Sequence, residues 1–271
     1  MSDIIDSFPR RLYKMSQHLS KEVPSQVRTR EWVDKMVNTL FLMRDNQCLT
    51  LRQIEAQWEW LQFELQDIIL PICEMHELCA EDTAGEFFKE IPVLYTQLLK
   101  DAELYSKCDP ASHSMEEVIL SYPGFYALVV YRMAHVLYKL DVPLLPRLIS
   151  EYAHNQTGIE IHPGATIGRN FYIDHGTGIV IGETVVIGTD VKIYQGVTLG
   201  ATYVDKGLSG TKRHPTIEDH VIIYAGSTIL GGDTVIGHHT VIGGNVWLTE
   251  SVPPYSTVYH KPDIRIKENG K

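Results

Sequence analysis

From position 161 to position 248, a branched aliphatic residue returns about every six positions, with polar and small residues between. A period of six fits neither an amphipathic helix nor an alternating strand. It is typical of a solenoid, in which short parallel strands stack coil upon coil. The repeating positions, called anchors below, are Ile161, Ile167, Ile173, Ile181, Ile187, Ile193, Leu199, Ile217, Ile223, Ile229, Ile236, Ile242 and Leu248.

The six-residue period is interrupted three times. The spacing between anchors grows to eight residues across 174–178, to eighteen across 200–216 and to seven across 231–233. The second interruption is polar and rich in glycine, which predicts a loop extruded from the stack. Long loops on a rigid scaffold commonly carry function, so we predict the functional site at the first two interruptions.

The first part of the chain has few glycines and shows helical periodicity. Capping boxes, in which a Ser or Thr oxygen accepts an early backbone N–H and Glu or Gln reaches back, predict helix starts. Three are present: Thr50 with Gln53, Thr83 with Glu86, and Ser114 with Glu117. Pro71 predicts the end of the helix that starts after Thr50.

The predicted fold class is therefore α+β, an all-helical N-terminal domain followed by a parallel β-helix of hexapeptide repeats. The helical domain is predicted over residues 1–155. The β-helix is predicted over 156–252, with the extruded loop at 200–216 and a C-terminal tail at 253–271.

Composition narrows the class of protein. A net charge of −10 and a pI near 5.6 argue against nucleic-acid and anionic-membrane partners. The four cysteines form no CxxC pair, as expected of reduced thiols in the cytoplasm. The first residues lack the apolar core of a signal peptide, and no stretch approaches the roughly 20 apolar residues of a membrane span. We expect a cytoplasmic protein without a membrane partner.

The first interruption brings His175 out of the regular wall, directly after Asp174. A neutral imidazole beside a carboxylate can take the proton of an alcohol, which is otherwise a poor nucleophile. The second interruption ends in Arg213 and His214, and a guanidinium can hold a carboxylate in two parallel hydrogen bonds. The same residues also fit ordinary exposed turns, and the sequence alone leaves that alternative open.

The histidines also raise the question of a metal. A catalytic zinc site would need three convergent ligands and an open position. The six histidines in and beside the repeat have no spacing that specifies such a set. We therefore predict no metal.

The stretch IEIHPGATIGRNFYIDHGTGIVIGETVVIG, followed by VTLGAT, KRHPTIEDHVIIYAGSTILGG and SVPPYST, closely resembles the bacterial and plant serine O-acetyltransferases. The upstream CDPASHSMEEVILSYPGFYALVVYRMAHVL resembles the end of that family's helical domain. The resemblance covers about residues 105 to 262. Hexapeptide repeats alone indicate a large acyltransferase class, whereas DPA, IHP, DHGTG and RHP in this order indicate this family.

The resemblance implies transfer of acetyl from acetyl-CoA to the hydroxyl of L-serine, the first step of cysteine biosynthesis, with L-cysteine as feedback inhibitor. It implies a left-handed β-helix and homotrimers with sites between neighbouring subunits. Trimers of this family often pair into hexamers through their helical domains.

The resemblance also implies roles for individual residues. His175 matches the catalytic base, Glu160 the position of its carboxylate partner, and His214 a second active-site histidine. The residues matched to substrate binding are Asp109 and Asp174 for the serine amine and Arg213 for its carboxylate. Those on the wall that lines the CoA arm are Ala201, Ala225 and Gly244.

The chain departs from the family pattern in two places that matter. Glu160 is one methylene longer than the usual Asp. The tail HKPDIRIKENGK does not end in the isoleucine with which many members enter the active site of O-acetylserine sulfhydrylase. We therefore predict weak or absent binding to that enzyme.

Two other functions remain compatible with the repeats. One is a hexapeptide acyltransferase acting on homoserine, a sugar or an antibiotic, which is expected to lack the Asp109 and RHP combination. The other is a γ-type carbonic anhydrase, which would bind zinc through three histidines.

Overall fold

A computed structural model of the chain describes residues 2–19, 23–42, 49–203, 210–261 and 267. The chain divides into two compact units, Met1–Gly164 and Ala165–Lys271. The first unit is helical, and the second is a parallel β-solenoid. The predicted fold class is confirmed.

Seven helices make up the described part of the first unit, and a short strand ends it. The helices are α1 (Ser2–Leu19), α2 (Gln26–Leu40), α3 (Leu51–His76), α4 (Ala80–Cys108), α5 (Met115–Ser121), α6 (Pro123–Lys139) and α7 (Leu145–Thr157). The strand is β1 (Glu160–Ile161). None of the described helices is long and apolar enough to cross a bilayer.

Aromatic side chains and one ion pair fill the centre of the helical unit. The Trp32 indole is fully buried and donates to the Leu61 carbonyl at 2.9 Å. Arg132 and Asp101 form a buried pair, with Nη2 and Oδ2 3.0 Å apart. Removing one partner of such a pair would leave an uncompensated buried charge, which is strongly destabilising. The pair therefore fixes how α4 packs on α6.

Two of the three predicted helix starts are confirmed. Thr50 forms a complete capping box with Gln53, and the Ser114 hydroxyl accepts from the Glu117 backbone N–H at 3.2 Å. The prediction at Thr83 was wrong, because α4 already begins at Ala80 and Thr83 is buried inside its first turn.

The prediction that Pro71 ends its helix was also wrong. Pro71 lies inside α3, which continues to His76. The turn beyond the proline carries the buried side chains of Ile72 and Cys73. Packing of that turn outweighs the one backbone hydrogen bond that a proline removes.

The second unit consists of two- and three-residue strands. They are β2 (Thr166–Ile167), β3 (Tyr172–Asp174), β4 (Val180–Ile181), β5 (Val186–Ile187), β6 (Lys192–Tyr194), β7 (Thr198–Gly200), β8 (Thr216–Ile217), β9 (Ile222–Ile223), β10 (Thr228–Leu230), β11 (Val235–Ile236), β12 (Val241–Ile242), β13 (Trp247–Leu248) and β14 (Thr257–Val258).

Every third strand pairs in parallel, which gives the solenoid three faces. One face contains β4, β7, β10 and β13, the second β2, β5, β8 and β11, and the third β3, β6, β9, β12 and β14. All the anchors are buried except Leu248, which is half-buried in the last strand of its face. The six-residue pattern therefore predicted the core of the solenoid.

The coils approach closely where glycines turn the chain. A Cβ on Gly168 would lie 2.4 Å from the carbonyl oxygen of Gly188 in the next coil, and one on Gly237 would lie 2.4 Å from the Pro254 nitrogen. No side chain fits at such distances. These glycines allow the 4.7–4.9 Å spacing that paired strands require.

Two predictions concern segments that are described only in part. The extruded loop lies between β7 and β8, and residues 204–209 fall outside the described chain. In the predicted tail, β14 pairs with β12. The terminal residues 268–271 also fall outside the described chain, so weak sulfhydrylase binding stays a prediction.

The two residues of β9 provide a matched test of the core. Ile223 is fully buried, whereas Ile222 next to it points away from the core and is only half-buried. We expect Ile223→Ala to lower the free energy of unfolding by about 2–5 kcal/mol and Ile222→Ala to lower it by less. Urea denaturation of both variants measures the difference. Equal losses would contradict the inward assignment of the anchors.

Candidate active site

His175 lies at the corner between β3 and β4. Its φ is 55°, and Gly176 follows with φ 88°. The left-handed conformation is uncommon for a residue with a side chain, and here it occurs where the two extra residues of the first interruption are accommodated. The His175 side chain is 74% exposed, so its imidazole is accessible to a small molecule.

Asp174 ends β3 and is the carboxylate closest in sequence to this imidazole. Its Oδ1 lies 3.8 Å from His175 Nδ1, and its side chain is 21% exposed. The distance is too long for a hydrogen bond. An imidazole with a carboxylate beside it is an arrangement that general-base chemistry uses.

The strand register shows which residues lie beside His175 at the same corner of the following coils. Asp174 pairs with Tyr194, so His175 is followed in the next coil by Gln195. The Tyr194 and Tyr224 rings stack with their centroids 4.8 Å apart. The residues that follow them, Gln195 and Ala225, are therefore neighbours in successive coils. We call the resulting row the base column: His175, Gln195, Ala225 and Gly244.

The base column contains two of the three residues predicted to line the CoA arm. Ala225 and Gly244 are in direct contact, because a Cβ on Gly244 would lie 3.3 Å from the Ala225 carbonyl oxygen. The base column lies where the chain enters the face of β4, β7, β10 and β13. The third predicted residue, Ala201, follows β7 and therefore lies where the chain leaves that face. The solenoid therefore brings His175, Ala225 and Gly244 into one row and leaves Ala201 outside it.

The end of the extruded loop, with Arg213 and His214, lies at the corner that follows β4. Arg213 Nη2 pairs with Glu183 Oε2, and both side chains are about three-quarters buried. Arg213 Nη1 is buried and makes no hydrogen bond within the described chain. A buried guanidinium nitrogen is costly to leave unpaired, so Nη1 is suited to a further acceptor.

Thr184 connects this loop end to the coil. Its hydroxyl oxygen accepts from the backbone N–H groups of Arg213 and His214, at 3.0 and 3.1 Å. With both acceptor positions used, the hydroxyl proton points to His214 Nδ1, 2.9 Å away. The Thr184 backbone N–H donates to the same Nδ1 at 3.1 Å.

This network assigns the tautomer of His214. Nδ1 accepts two hydrogen bonds and therefore carries no proton, so the ring proton is on Nε2. The His214 side chain is buried. His214 is thus arranged as a hydrogen-bond donor through Nε2, in contrast to the exposed His175.

The end of the extruded loop packs against two glycines, where a larger residue would overlap with it. A Cβ on Gly182 would lie 2.2 Å from the His214 ring, and one on Gly232 would lie 2.3 Å from the Lys212 carbonyl oxygen. Lys212 Nζ donates to the Thr184 carbonyl at 2.7 Å, and burial lowers the pKa of this ammonium group. We call the group formed by Glu183, Thr184, Arg213 and His214 the clamp.

The base column and the clamp lie at opposite ends of β4. His175 precedes this strand and Glu183 follows it. Strand residues rise about 3.3 Å each, so the two corners are separated by roughly 15 Å. His175 and Arg213 of the same solenoid therefore belong to different corners.

The remaining two predicted residues belong to the helical unit. Asp109 caps α4, and its Oδ1 accepts from the Ala111 backbone N–H at 2.8 Å. Glu160 lies in β1, and its Oε1 is 3.5 Å from Arg147 Nη2. Arg147 makes a shorter contact of 2.6 Å to Glu151, so Glu160 is only weakly held by it.

Sequence reasoning missed Glu183 and Thr184. The six-residue pattern does place both at a corner, immediately after Ile181 and Gly182. What the pattern could not supply is the partner, because the loop returns to them about 30 positions later with no periodic signal. Among the described residues, no group of three or more His, Cys, Asp and Glu is placed to hold a metal ion.

Comparisons with known proteins were made in three ways. No protein-family model matches the chain. A plasmid-encoded serine acetyltransferase of Synechococcus elongatus is 49% identical over 184 residues, which are 66% of this chain and 57% of that relative. The serine acetyltransferase of Bacillus subtilis is 48% identical over 179 residues, which are 66% of this chain and 80% of that relative.

Solved structures give the same assignment over a longer stretch. Serine acetyltransferase 1 of Entamoeba histolytica, in complex with L-cysteine, is 36% identical with a TM-score of 0.76, and the match covers 85% of this chain and 86% of that one. The soybean serine acetyltransferase complexed with serine is 36% identical with a TM-score of 0.61, covering 68% and 74%.

The hydrogen bonds of the Thr184 hydroxyl in the clamp can be tested by substitution. Thr184→Val keeps the shape but removes the hydroxyl, leaving the backbone N–H groups of Arg213 and His214 without their acceptor. We expect a loss of about 1–3 kcal/mol in the free energy of unfolding. The Nε2–H form of His214 should persist, because the Thr184 backbone N–H still donates to Nδ1. Urea denaturation measures the loss, and nitrogen-15 NMR reports the tautomer, with the signal assigned by its loss in His214→Gln. Thr184→Ser is the control and should preserve both the stability and the tautomer. A Thr184→Val variant as stable as the wild type, or one whose His214 ring carries its proton on Nδ1, would contradict the network.

Proposed function

The chain belongs to the serine acetyltransferase family, a family of acyltransferases, and we propose that it transfers an acetyl group from acetyl-CoA to the hydroxyl of L-serine. The products are O-acetyl-L-serine and CoA, and the reaction would be the first step of cysteine biosynthesis. The observation that carries the proposal is the base column, an exposed imidazole beside a carboxylate in line with small residues. The direct test is release of free CoA thiol from acetyl-CoA and L-serine, with homoserine and a galactoside as competing acceptors.

In the proposed mechanism, His175 is the general base. Its Nε2 takes the serine hydroxyl proton while the oxygen attacks the thioester carbonyl carbon. The tetrahedral intermediate collapses, the carbon–sulfur bond breaks, and the imidazolium returns the proton to the departing thiolate. Asp174, 3.8 Å from the ring, stabilises the imidazolium. Glu160 occupies the position of the family's dyad carboxylate and is the second candidate for that role.

Arg213 would bind the serine carboxylate. The Glu183 ion pair holds one side of the guanidinium, and the buried Nη1 supports a further acceptor on the other. Asp109 and Asp174 would share the serine ammonium group, since two carboxylates match its charge. L-Cysteine carries the same carboxylate and amine, so it would compete for the same groups as a feedback inhibitor.

His214 would act as a donor and not as a base. With Nδ1 committed to Thr184, only its Nε2–H can face a reacting group. Such a fixed donor would stabilise negative charge that develops during acyl transfer. This divides the two histidines into an exposed proton acceptor and a buried hydrogen-bond donor.

The acetyl-CoA arm would follow the base column. From His175 to Gly244 there are three coil steps of about 4.8 Å each. Ala225 and Gly244 lack bulky side chains, so a pantetheine chain could lie close to the backbone. Ala201 belongs to the opposite corner and would contact the arm from another copy of the chain.

We propose that the complete site forms between two copies of the chain. The argument is that one solenoid presents His175 and Arg213 at two corners whose backbones are roughly 15 Å apart, which is longer than one serine. A neighbouring copy, related by a rotation, could present its clamp to the base column of the first. Such an interface is heterologous and closes into a ring. We also propose that the chain forms the trimer expected from the family and that trimers pair into hexamers.

The first functional prediction concerns His175. We expect His175→Asn to reduce kcat by roughly 10²–10⁴-fold, the usual contribution of a general base. Acetyl-CoA binding, measured by calorimetry, should stay within a few-fold of the wild type because the wall residues are unchanged. Near-normal turnover by a folded variant would exclude His175 as the base. Glu160→Gln should cost less than His175→Asn, and a silent Glu160→Gln would remove Glu160 from the mechanism.

The second functional prediction concerns the shared site. His175→Asn and Arg213→Ala chains should each be nearly inactive alone. After joint unfolding and reassembly in equal amounts, about one quarter of the interfaces of a closed ring would pair an intact base column with an intact clamp. We therefore expect recovery of about that fraction of wild-type turnover. Mixing the folded proteins without reassembly is the control. No recovery after confirmed subunit exchange would place the whole site within one chain.

A further inference from the structure

We propose that Tyr122 is a positioning residue for Asp109, and that it sets the affinity for the amine of the acceptor amino acid. This inference rests on the proposed function, because it assumes that Asp109 receives the ammonium group of serine. Tyr122 itself would not contact the substrate. It would act through the carboxylate, whose direction it fixes.

The geometry around Asp109 is held by two donors. The Tyr122 hydroxyl donates to Oδ2 at 2.5 Å, and the Ala111 backbone N–H donates to Oδ1 at 2.8 Å. The Ser112 backbone N–H donates to the Asp109 carbonyl at 3.1 Å, which closes the turn after α4. Each carboxylate oxygen thus has a fixed direction.

Tyr122 is itself held firmly at the junction of two helices. It caps the end of α5, where its N–H donates to the Val118 carbonyl at 3.1 Å, and it is also the N-cap of α6. Pro123 follows as the first residue of α6. The position of the ring is therefore fixed by backbone on both sides, as a positioning role requires.

The hydrogen bond to Asp109 also determines the charge state of the phenol. It is the largest of the effects that raise the pKa of Tyr122 to about 12. The hydroxyl therefore stays protonated and remains a donor throughout the working range of an enzyme. A donor that stays protonated holds Asp109 Oδ2 in one direction, as a positioning role requires.

Tyr152 provides a matched comparison in the same helical unit. Its hydroxyl donates to Asp34 Oδ2 at 2.7 Å, and its pKa is also raised to about 12, first by burial and then by that hydrogen bond. Removing either hydroxyl deletes one tyrosine–carboxylate bond from the unit. Only the Tyr122 bond involves a carboxylate proposed to bind substrate.

The test compares Tyr122→Phe with Tyr152→Phe in steady-state kinetics of the full-length protein. We expect Tyr122→Phe to raise the KM for serine by up to about 10- to 150-fold, the effect of a lost hydrogen bond to a charged group. The KM for acetyl-CoA and kcat should stay within about two-fold, because neither depends on the amine contact. Tyr152→Phe should leave all three near their wild-type values.

Two further measurements separate positioning from a general structural effect. L-Cysteine and 3-mercaptopropionate differ only in the amine, so Tyr122→Phe should weaken inhibition by L-cysteine and leave inhibition by 3-mercaptopropionate unchanged. In an Asp109→Ala background, Tyr122→Phe should have no further effect on the serine KM, since the carboxylate through which it acts is gone.

The outcomes distinguish this inference from the proposed function. Wild-type protein that fails to acetylate serine would overturn the proposed function itself. An active wild type with an unchanged serine KM in Tyr122→Phe would overturn only the role of Tyr122. Equal effects of Tyr122→Phe and Tyr152→Phe, equal weakening of both inhibitors, or an additive effect with Asp109→Ala would each do the same.

Discussion

The structure of the second unit depends on one constraint, the closing of each coil with an aliphatic side chain pointing inward on each of three faces. The coil spacing is fixed by backbone hydrogen bonds between parallel strands, so the inward side chains of successive coils must stack in register. Pairs such as Ile193 with Ile223 satisfy this requirement. Any residue that does not fit the wall must leave it at a corner. The corners are consequently where chemically active side chains can be presented.

Two different devices hold side chains at these corners. At the base column, two extra residues and the left-handed backbone of His175 turn the imidazole outward. At the clamp, a long loop returns and is tied down by Thr184, with Gly182 and Gly232 leaving room for it. The Arg213–Glu183 ion pair contributes direction more than stability, because the cost of desolvating two largely buried charges offsets much of the attraction between them. The first device leaves a histidine accessible, whereas the second buries one.

The sequence predicted the part of this arrangement that is periodic. Inward positions such as Ile187 and Ile229 follow from spacing alone, because burial repeats with the coil. Helix limits were less predictable, since Pro71 is retained inside α3 by the packing of the turn beyond it. The Thr184–His214 network was not predictable either. It joins positions 30 apart across a loop whose length carries no information about where it returns.

The same constraint keeps the two groups of predicted site residues at separate corners of one chain. The motifs that contain His175 and Arg213 are separated by a full face of the solenoid, which cannot bend to bring them together because its strands are paired above and below. This separation is the reason why we propose that a second copy of the chain completes the site. Rigidity thus has two consequences at once. It fixes the tautomer of His214 and the direction of Arg213, and it keeps the base column and the clamp at separate corners of the same chain.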